Sequence, residues 1–401
     1  MNNTIKLAVA GAVLSAASVA NAGIIIPAGD WTLDVNGNVN VYASMTKYDD
    51  TTEVAGGLSG EKSGTGADDQ NQTIGTGLLP AWLGFTGTTR QNDLDVSFTI
   101  SMQPTTSDNA VTGDQEAPLF RQAILTFGDA SWGSVKMGKD LGIFAGNAIL
   151  GDMTLLGVGS NADNSGQSTT LGGIGTGYIY PAWKGQITYT TPNMNGFQAK
   201  VGHTNPNQIQ NTLAQTARQD NFGIEGQVEY TMAMGKVWVS GASNSYTTGT
   251  AGQDWDASVL DIGATVNVGN ASVTGYYYSG EGVGSTIYGG LFATEAGGVD
   301  SGVSSTFSER DSDGGYIQGT YVIPTGTKLG VAYGTSRLDR ANDEAAAGAS
   351  LDENNRWTVG AYHPLTKHLN LVAEYNAIES KDHNSNTNDS DSVSLGAILF
   401  F

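Results

Sequence analysis

From Trp31 to its last residue the chain repeats one pattern, stretches of about ten residues in which apolar and polar side chains alternate, cut by connections that are short and long in turn. In Trp31 to Met45 the odd positions carry Trp31, Leu33, Val35, Val39, Val41 and Met45, and the even ones Thr32, Asp34, Asn36, Asn38, Asn40 and Ser44. The division recurs at Leu94, Val96, Phe98, Ile100 and Met102 against Asp95, Ser97, Thr99 and Ser101. It recurs again at Phe222, Ile224, Val228 and Tyr230 against Glu225, Gln227 and Glu229, and at Leu369, Leu371, Ala373 and Tyr375 against Asn370 and Glu374. The last stretch, Val393 to Phe401, puts Val393, Leu395, Ala397, Leu399 and Phe401 on one parity. Successive side chains of a strand point to opposite faces, so each stretch has one lipid-compatible face and one wet face.

Further strands are expected near 81–89, 120–127, 131–139, 178–190, 197–203, 236–244, 260–268, 271–278, 316–322, 328–336 and 357–363. Turns rich in Gly, Pro, Asn and Asp join them near 90–93, 128–130, 191–196, 231–235, 269–270, 323–327 and 364–368. Between these lie longer polar segments near 46–80, 103–119, 140–177, 204–221, 245–257, 279–315, 337–356 and 378–392. Seven short links and eight long ones make sixteen strands with both termini on the short-turn side. The expected fold is all-β, a transmembrane antiparallel sixteen-stranded β-barrel. A soluble sandwich or propeller would not rotate its loop lengths so strictly, and in lipid only a closed sheet satisfies its backbone groups.

Residues 1–22 read as a cleaved secretory signal peptide: Lys6 is the positive end, Leu7 to Ala20 the apolar stretch, and Ala20-Asn21-Ala22 an A-x-A site before Gly23. The barrel would then occupy residues 23–401. No other stretch has the ~18 apolar residues a spanning helix needs. A mean hydropathy of −0.19 hides the apolar band, because a barrel spreads it over alternate positions. With no cysteine the chain has no disulfide framework. Its net charge of −21 gives no bulk attraction to nucleic acid.

Leu83-Gly84-Phe85-Thr86-Gly87 resembles the L-G-F-x-G element on the second strand of general bacterial porins of the Gram-negative outer membrane. Arg121 to Leu125, followed by Trp132 to Lys139, is similar to that family's paired fourth and fifth strands, whose G-K or G-R end leads into the third loop. The Leu-Phe-Phe ending resembles the family's terminal aromatic, which implies that Phe401 is read by the outer-membrane assembly machinery. The resemblance implies a homotrimer of diffusion pores needing no cofactor, set in lipid and lipopolysaccharide. It also implies an inward-folded third loop over residues 140–177. The apolar content of that segment, including Leu141, Ile143, Phe144, Met153, Leu155 and Leu156, suits a loop packed on the inner wall. Two departures stand out: Trp82 occupies the place of an Arg before L-G-F, and the stretch after Asp152 lacks the enterobacterial acidic cluster.

Opposed acids and bases in a water-filled constriction sort ions by charge and size. The candidate constriction residues are Arg121, Lys136, Lys139, Lys184, Asp140, Asp152 and Trp82. Lys136 opposes Val135 and Met137 and so takes the wet face, whereas Arg121 shares parity with Ala123 and Leu125 and its facing stays open. Trp31, Tyr180, Trp183, Tyr230, Trp357 and Tyr375 read as interfacial aromatics. The outer segments are dense in acids, among them Asp50, Glu53, Asp68, Asp69, Glu295, Asp343 and Glu344, and suggest divalent cations as partners or a solvated surface. No metal spacing links the four histidines and no G-x-S-x-G elbow is present, so an enzyme is not expected. The expected function is passive diffusion of ions and small hydrophilic solutes, with a weak cation preference from the net charge. The alternatives are a substrate-selective pore using Trp82, Tyr276 and Tyr278 as aromatic rungs, a closed structural or adhesion barrel, and an outer-membrane hydrolase.

Overall fold

The strand with the clearest alternation is also the one on which the sheet closes. The computed structural model describes residues 23–49, 51, 54–62, 69–104, 119–160, 169–205, 221–247, 254–286, 300–344 and 350–401. The signal segment 1–22 and the loop acids Asp50, Glu53, Asp68 and Glu295 lie outside the described residues. The strands are β1 (Ile24–Ala28), β2 (Trp31–Tyr48), β3 (Gln70–Gly75), β4 (Trp82–Gln91), β5 (Leu94–Gln103) and β6 (Leu119–Asp129). Next come β7 (Gly133–Leu141), β8 (Trp183–Thr190), β9 (Phe197–Thr204), β10 (Gly223–Met232), β11 (Gly235–Thr247) and β12 (Asp254–Val268). The series ends with β13 (Ala271–Glu281), β14 (Asp311–Val322), β15 (Lys328–Leu338), β16 (Leu351–Pro364), β17 (Leu369–Asp382) and β18 (Thr387–Phe400).

These eighteen segments build a closed sixteen-stranded antiparallel barrel, because two strands of the wall are composite. Along one edge of β2, β18 pairs from Ser390↔Tyr48 to Phe400↔Asn38 and β1 continues the line from Ile24↔Val35 to Ala28↔Trp31. Phe401 and Gly37 exchange both backbone bonds at the junction, 2.8 and 3.1 Å. The Gly29-Asp30 hairpin sends the chain from β1 into β2, with Gly29 at φ 67°, a conformation without cost only for glycine. Along the other edge β3 pairs with Tyr42 to Lys47 and β4 with Thr32 to Asn38. The gap between them, residues 76–81, is buried inside the barrel, where the Asn40 and Asn38 side chains donate to Leu79 O (2.8 Å) and Pro80 O (3.0 Å).

The alternation divides the faces as the sequence suggests. Val39, Val41, Met45, Leu260, Ile262, Val393 and Leu395 lie exposed on the outside, while Asn38, Asn40, Ser44, Ser392 and Ser394 are buried on the inside. Trp357, Tyr230 and Tyr375 are exposed outward, in keeping with an interfacial role. The outer links differ from expectation. Residues 245–257, 279–315, 337–356 and 378–392 shrink to connections at 248–253, 282–310, 339–350 and 383–386, and the supposed loop 46–80 contains the end of β2 and all of β3. At these upper strand ends the outward positions are polar, as at Asp254, Asp256, Asp389 and Asp391, so apolar alternation stops while backbone pairing continues. At 383–386 the link is a tight turn, with Asp382 Oδ1 accepting from Asn384 N (2.9 Å) and Asn386 N (2.8 Å).

One outer link is tied to its neighbour by a buried guanidinium. Arg310 donates to Glu344 through Nε (2.9 Å) and Nη2 and to Ser301 O (3.0 Å). Burial acts to raise the Glu344 pKa, but the bonds from Arg310 and from Ala341 N outweigh it, so the group titrates below its ordinary value of 4.5. A depressed carboxylate contributes stability above its unfolded pKa and loses it as pH falls through the folded one. Amide protection factors in residues 300–310, corrected for the intrinsic pH dependence of exchange, should therefore be flat from pH 7 to pH 5 and fall below about pH 4. Glu344→Gln should already exchange faster at neutral pH; a variant as protected as the parent would exclude the strut.

Candidate functional site

The third outer connection, between β7 and β8, does not leave the barrel. It turns inward at Gly142, passes Ala145 in the left-handed conformation (φ 56°), forms the helix α1 (Gly146–Gly151) and a 3-10 turn (Met153–Leu156), and returns to the wall at Trp183. Lumen-facing polar groups accept from the loop's backbone donors. Glu225 Oε2 on β10 accepts from Ile143 N (2.6 Å) and Phe144 N (3.0 Å), and Asp261 Oδ2 on β12 from Ala145 N (3.2 Å). Gln318 on β14 accepts from Met153 N (2.8 Å) and donates to Gly151 O (2.7 Å). Glu374 Oε2 on β17 accepts from Val158 N (2.9 Å) and Gly159 N (2.8 Å), while its Oε1 accepts from Tyr362 OH (2.6 Å). At Gly157 a Cβ would come within 1.9 Å of Glu374 Oε1, so only glycine allows this approach.

Beneath the loop lies an apolar layer. Phe144, Ile149, Leu155, Tyr178 and Ile179 pack with Trp238, Val259, Tyr276, Tyr278 and Tyr316 of the wall, at roughly 1.5–3 kcal/mol for each large side chain fully buried. Tyr276 and Tyr278, 6% and 0% exposed, are covered by this packing. They cannot serve as rungs along the water path, which corrects that expectation for these two residues.

The candidate charges fall into three groups. Asp152 is buried within the loop, where it accepts from Thr154 N (2.9 Å), Gly173 N (3.0 Å) and Tyr178 OH (2.9 Å), and Arg356 on β16 stands 3.9 Å away. It clamps the two limbs of the loop together and is not a free pore charge. Asp140 is not on the loop but near the end of β7, buried, bound by Lys136 Nζ (2.5 Å) and Gln122 Nε2 (2.8 Å). Lys184 on β8 is paired with Glu225 at 2.6 Å, both side chains buried. Lys139 is the second correction: it shares parity with Val135 and Met137, and its ammonium donates to Phe120 O (2.9 Å) on the outer face.

Arg121 faces inward for a reason that parity does not show. Ser101 pairs with Gln122 and Met102 with Phe120, so Arg121 is the extra residue of a β-bulge. Its guanidinium carbon lies 5.4 Å from the centroid of the Trp82 ring and 4.3 Å from that of Trp183. Tyr180 is half-buried in the returning limb of the loop, packed on its apolar layer, and Trp183 stands against the inward Arg121, so neither belongs to an outer girdle. Sequence reasoning passed over Lys200 on β9, Lys236 on β11 and Lys328 on β15, although each lies on the wet parity of its strand. Lys236 meets Glu229 at 3.5 Å and Asn147 at 2.9 Å; among the described residues Lys200 and Lys328 have no carboxylate within ion-pair distance, and Lys328 lies over Tyr362 at 4.7 Å. Among the described residues no three His, Asp or Glu side chains gather to hold a metal ion.

The geometry is that of a wall-lined passage narrowed from one side, and comparison with known proteins agrees. The outer membrane channel DcaP of Acinetobacter baumannii superposes with a TM-score of 0.68, covering 95% of this chain and 100% of its own at 17% identity. An anion-selective porin from Comamonas acidovorans gives 0.64, with 92% and 100% covered at 15% identity. The trimer form of OmpT, an outer membrane protein of Vibrio cholerae, gives 0.56, with 92% and 99% covered at 16% identity. Curated proteins yield no sequence match. The family model described as Gram-negative porin matches residues 7–383, and with it the chain is placed as a non-enzymatic channel of the outer membrane, a member of the Gram-negative porin family.

Proposed function

We propose that this channel passes small hydrophilic solutes and ions by diffusion through a constriction that favours anions, opposite in sign to the weak cation preference suggested by the chain's net charge. One observation carries the reading: among the described residues, the acids around the third loop are occupied, while Arg121 and Lys200 on the facing wall are not. Glu225, Asp261 and Glu374 hold the backbone of the third loop, and Asp140, Asp152 and Glu229 each face a cation. Among the described residues Arg121 on β6 and Lys200 on β9 have no such partner, which leaves positive potential in the half of the lumen that the loop does not cover. The acids that dominate the net charge are densest in the outer segments, where they are hydrated and screened within a Debye length, about 8 Å at physiological ionic strength.

The same reading takes Arg121, Lys136, Lys200 and Trp82 as the lining of the constriction, and residues 1–22 as the export signal removed before assembly. Phe401, fixed at the seam beside Gly37, is the residue we assign to recognition by the assembly machinery, and the apolar belt to contact with lipid and lipopolysaccharide. A homotrimer is favoured by the trimeric OmpT relative and by the low rim of the barrel from β4 to β9, whose 8–11 residues per strand suffice only to cross the membrane.

The test is the reversal potential of the purified oligomer in a planar bilayer under a tenfold KCl gradient. Conductance steps in threes, with a potential of the sign that chloride permeation sets, are expected. A potential of potassium sign would overturn the anion preference, and a silent bilayer with verified insertion would favour a closed barrel.

A further inference from the structure

Arg121 is held in a way that serves neither the wall nor the loop. The bulge removes it from the pairing of β5 with β6, and its guanidinium is placed between Trp82 and Trp183. The Trp82 indole lies flat against the wall, since a Cβ on Gly84 would meet its Cζ3 at 2.4 Å. The neighbouring carboxylate, Asp140, is taken by Lys136 and Gln122. Arg121 Nε is shut off from solvent and has no hydrogen-bond partner. In a chain with 39 acidic and 18 basic residues, an arginine near the root of the constricting loop is thus left without an acid among the described residues.

A guanidinium stacked on aromatic faces keeps its in-plane N–H donors free, and that edge fits a carboxylate in two parallel bonds. An indole beside the edge offers a flat apolar surface to whatever bears the carboxylate. Chloride could use only the charge, and acetate the charge and the fork; a planar aromatic acid could use the flat apolar surface as well. We propose that Arg121, Trp82 and Trp183 form a subsite in the pore for small aromatic carboxylates, which dwell there during passage. The subsite deepens the anion-favouring reading above and rests on it for delivery of the solute.

The probe is benzoate, with acetate as the control, added to the oligomer in a planar bilayer bathed in KCl. Benzoate should reduce the single-channel current saturably, and acetate should do so only at concentrations about tenfold higher or more, since it lacks the aromatic contact. Arg121→Gln should weaken the block about tenfold, the loss expected when a charge-assisted pair is removed. Arg121→Lys should restore only part of it, because an ammonium keeps the charge without the fork. Trp82→Leu, which removes no charge, should weaken benzoate block several-fold more than it weakens acetate block, whereas a general change in pore charge would weaken both alike. Heat-modifiability of each variant oligomer shows that it has folded. Equal, non-saturating effects of benzoate and acetate, or block indifferent to Arg121, would overturn the subsite. The KCl reversal potential reports separately on anion preference, so an anion-selective pore without benzoate block removes the subsite alone.

Discussion

Removing Asn147 to Gly159 is expected to raise the single-channel conductance roughly two-fold or more while leaving the barrel closed. The segment contributes nothing to the ladder of the wall; its bonds run inward, to Gln318, Glu374, Tyr316 and Tyr42. Its loss uncovers Trp238, Tyr276, Tyr278 and Tyr316 to lumen water, which lowers stability by a few kcal/mol but opens no strand edge. A milder variant isolates the staple. Glu374→Ala takes the acceptor from Val158 N, Gly159 N and Tyr362 OH, and each buried donor left unmade costs about 1–3 kcal/mol. That variant should keep its mean conductance near the parent value and gain open-channel noise as the loop moves. If the deletion conducts like the parent with its oligomer intact, the loop does not set the narrowest section.

The wall was legible because parity in a strand is a local property. Outward Val39, Val41 and Met45 and inward Asn38, Asn40 and Ser44 could be assigned without knowing their neighbours. The upper ends of the strands were not legible for the same reason. Asp254 to Ser258, Leu351 to Arg356 and Thr387 to Ser392 carry polar residues on the outward face while inward residues such as Ala257, Asn354 and Asn388 are buried, so no apolar-out alternation marks them although their pairing continues. The β3 segment, with Ile74 its one large apolar residue, gives an equally weak signal. At the constriction, Lys136 followed its parity and Lys139 could have been excluded by it. Arg121 could not be assigned, because a bulge shifts parity by one residue and depends on the partner strand. The partners of Asp152 and Glu374 come from strands or loop limbs far apart in sequence, and no spacing rule connects them. Tyr276 and Tyr278 sit on the inward parity, but whether water or the third loop covers them is decided by the loop's path.

Lys200→Glu should carry the largest change in selectivity, because Lys200 is a wall cation without a carboxylate partner and the substitution changes the local charge by two units. It lies on β9 between Thr190 and Gln227, with the cations Lys136 and Lys236 and the paired acid Glu229 in its field. A unit charge acting on a permeating ion at ~8 Å through water contributes about 0.5 kcal/mol, so the two-unit change shifts chloride and potassium by about 1 kcal/mol in opposite senses and should lower their permeability ratio roughly thirtyfold. The reversal potential in a KCl gradient should then move toward, and with enough starting preference past, zero. Added salt should shrink the difference between variant and parent, since interactions across a wet lumen are screened. Lys139→Glu makes the same change in net charge at a site whose ammonium lies on the outer face, bonded to Phe120 O. It should leave the reversal potential where the parent has it. The pair of variants thus separates the charge that lines the passage from the charge the chain merely carries. Equal shifts in both would mean that net charge rules, and no shift in Lys200→Glu would place that lysine outside the ion path.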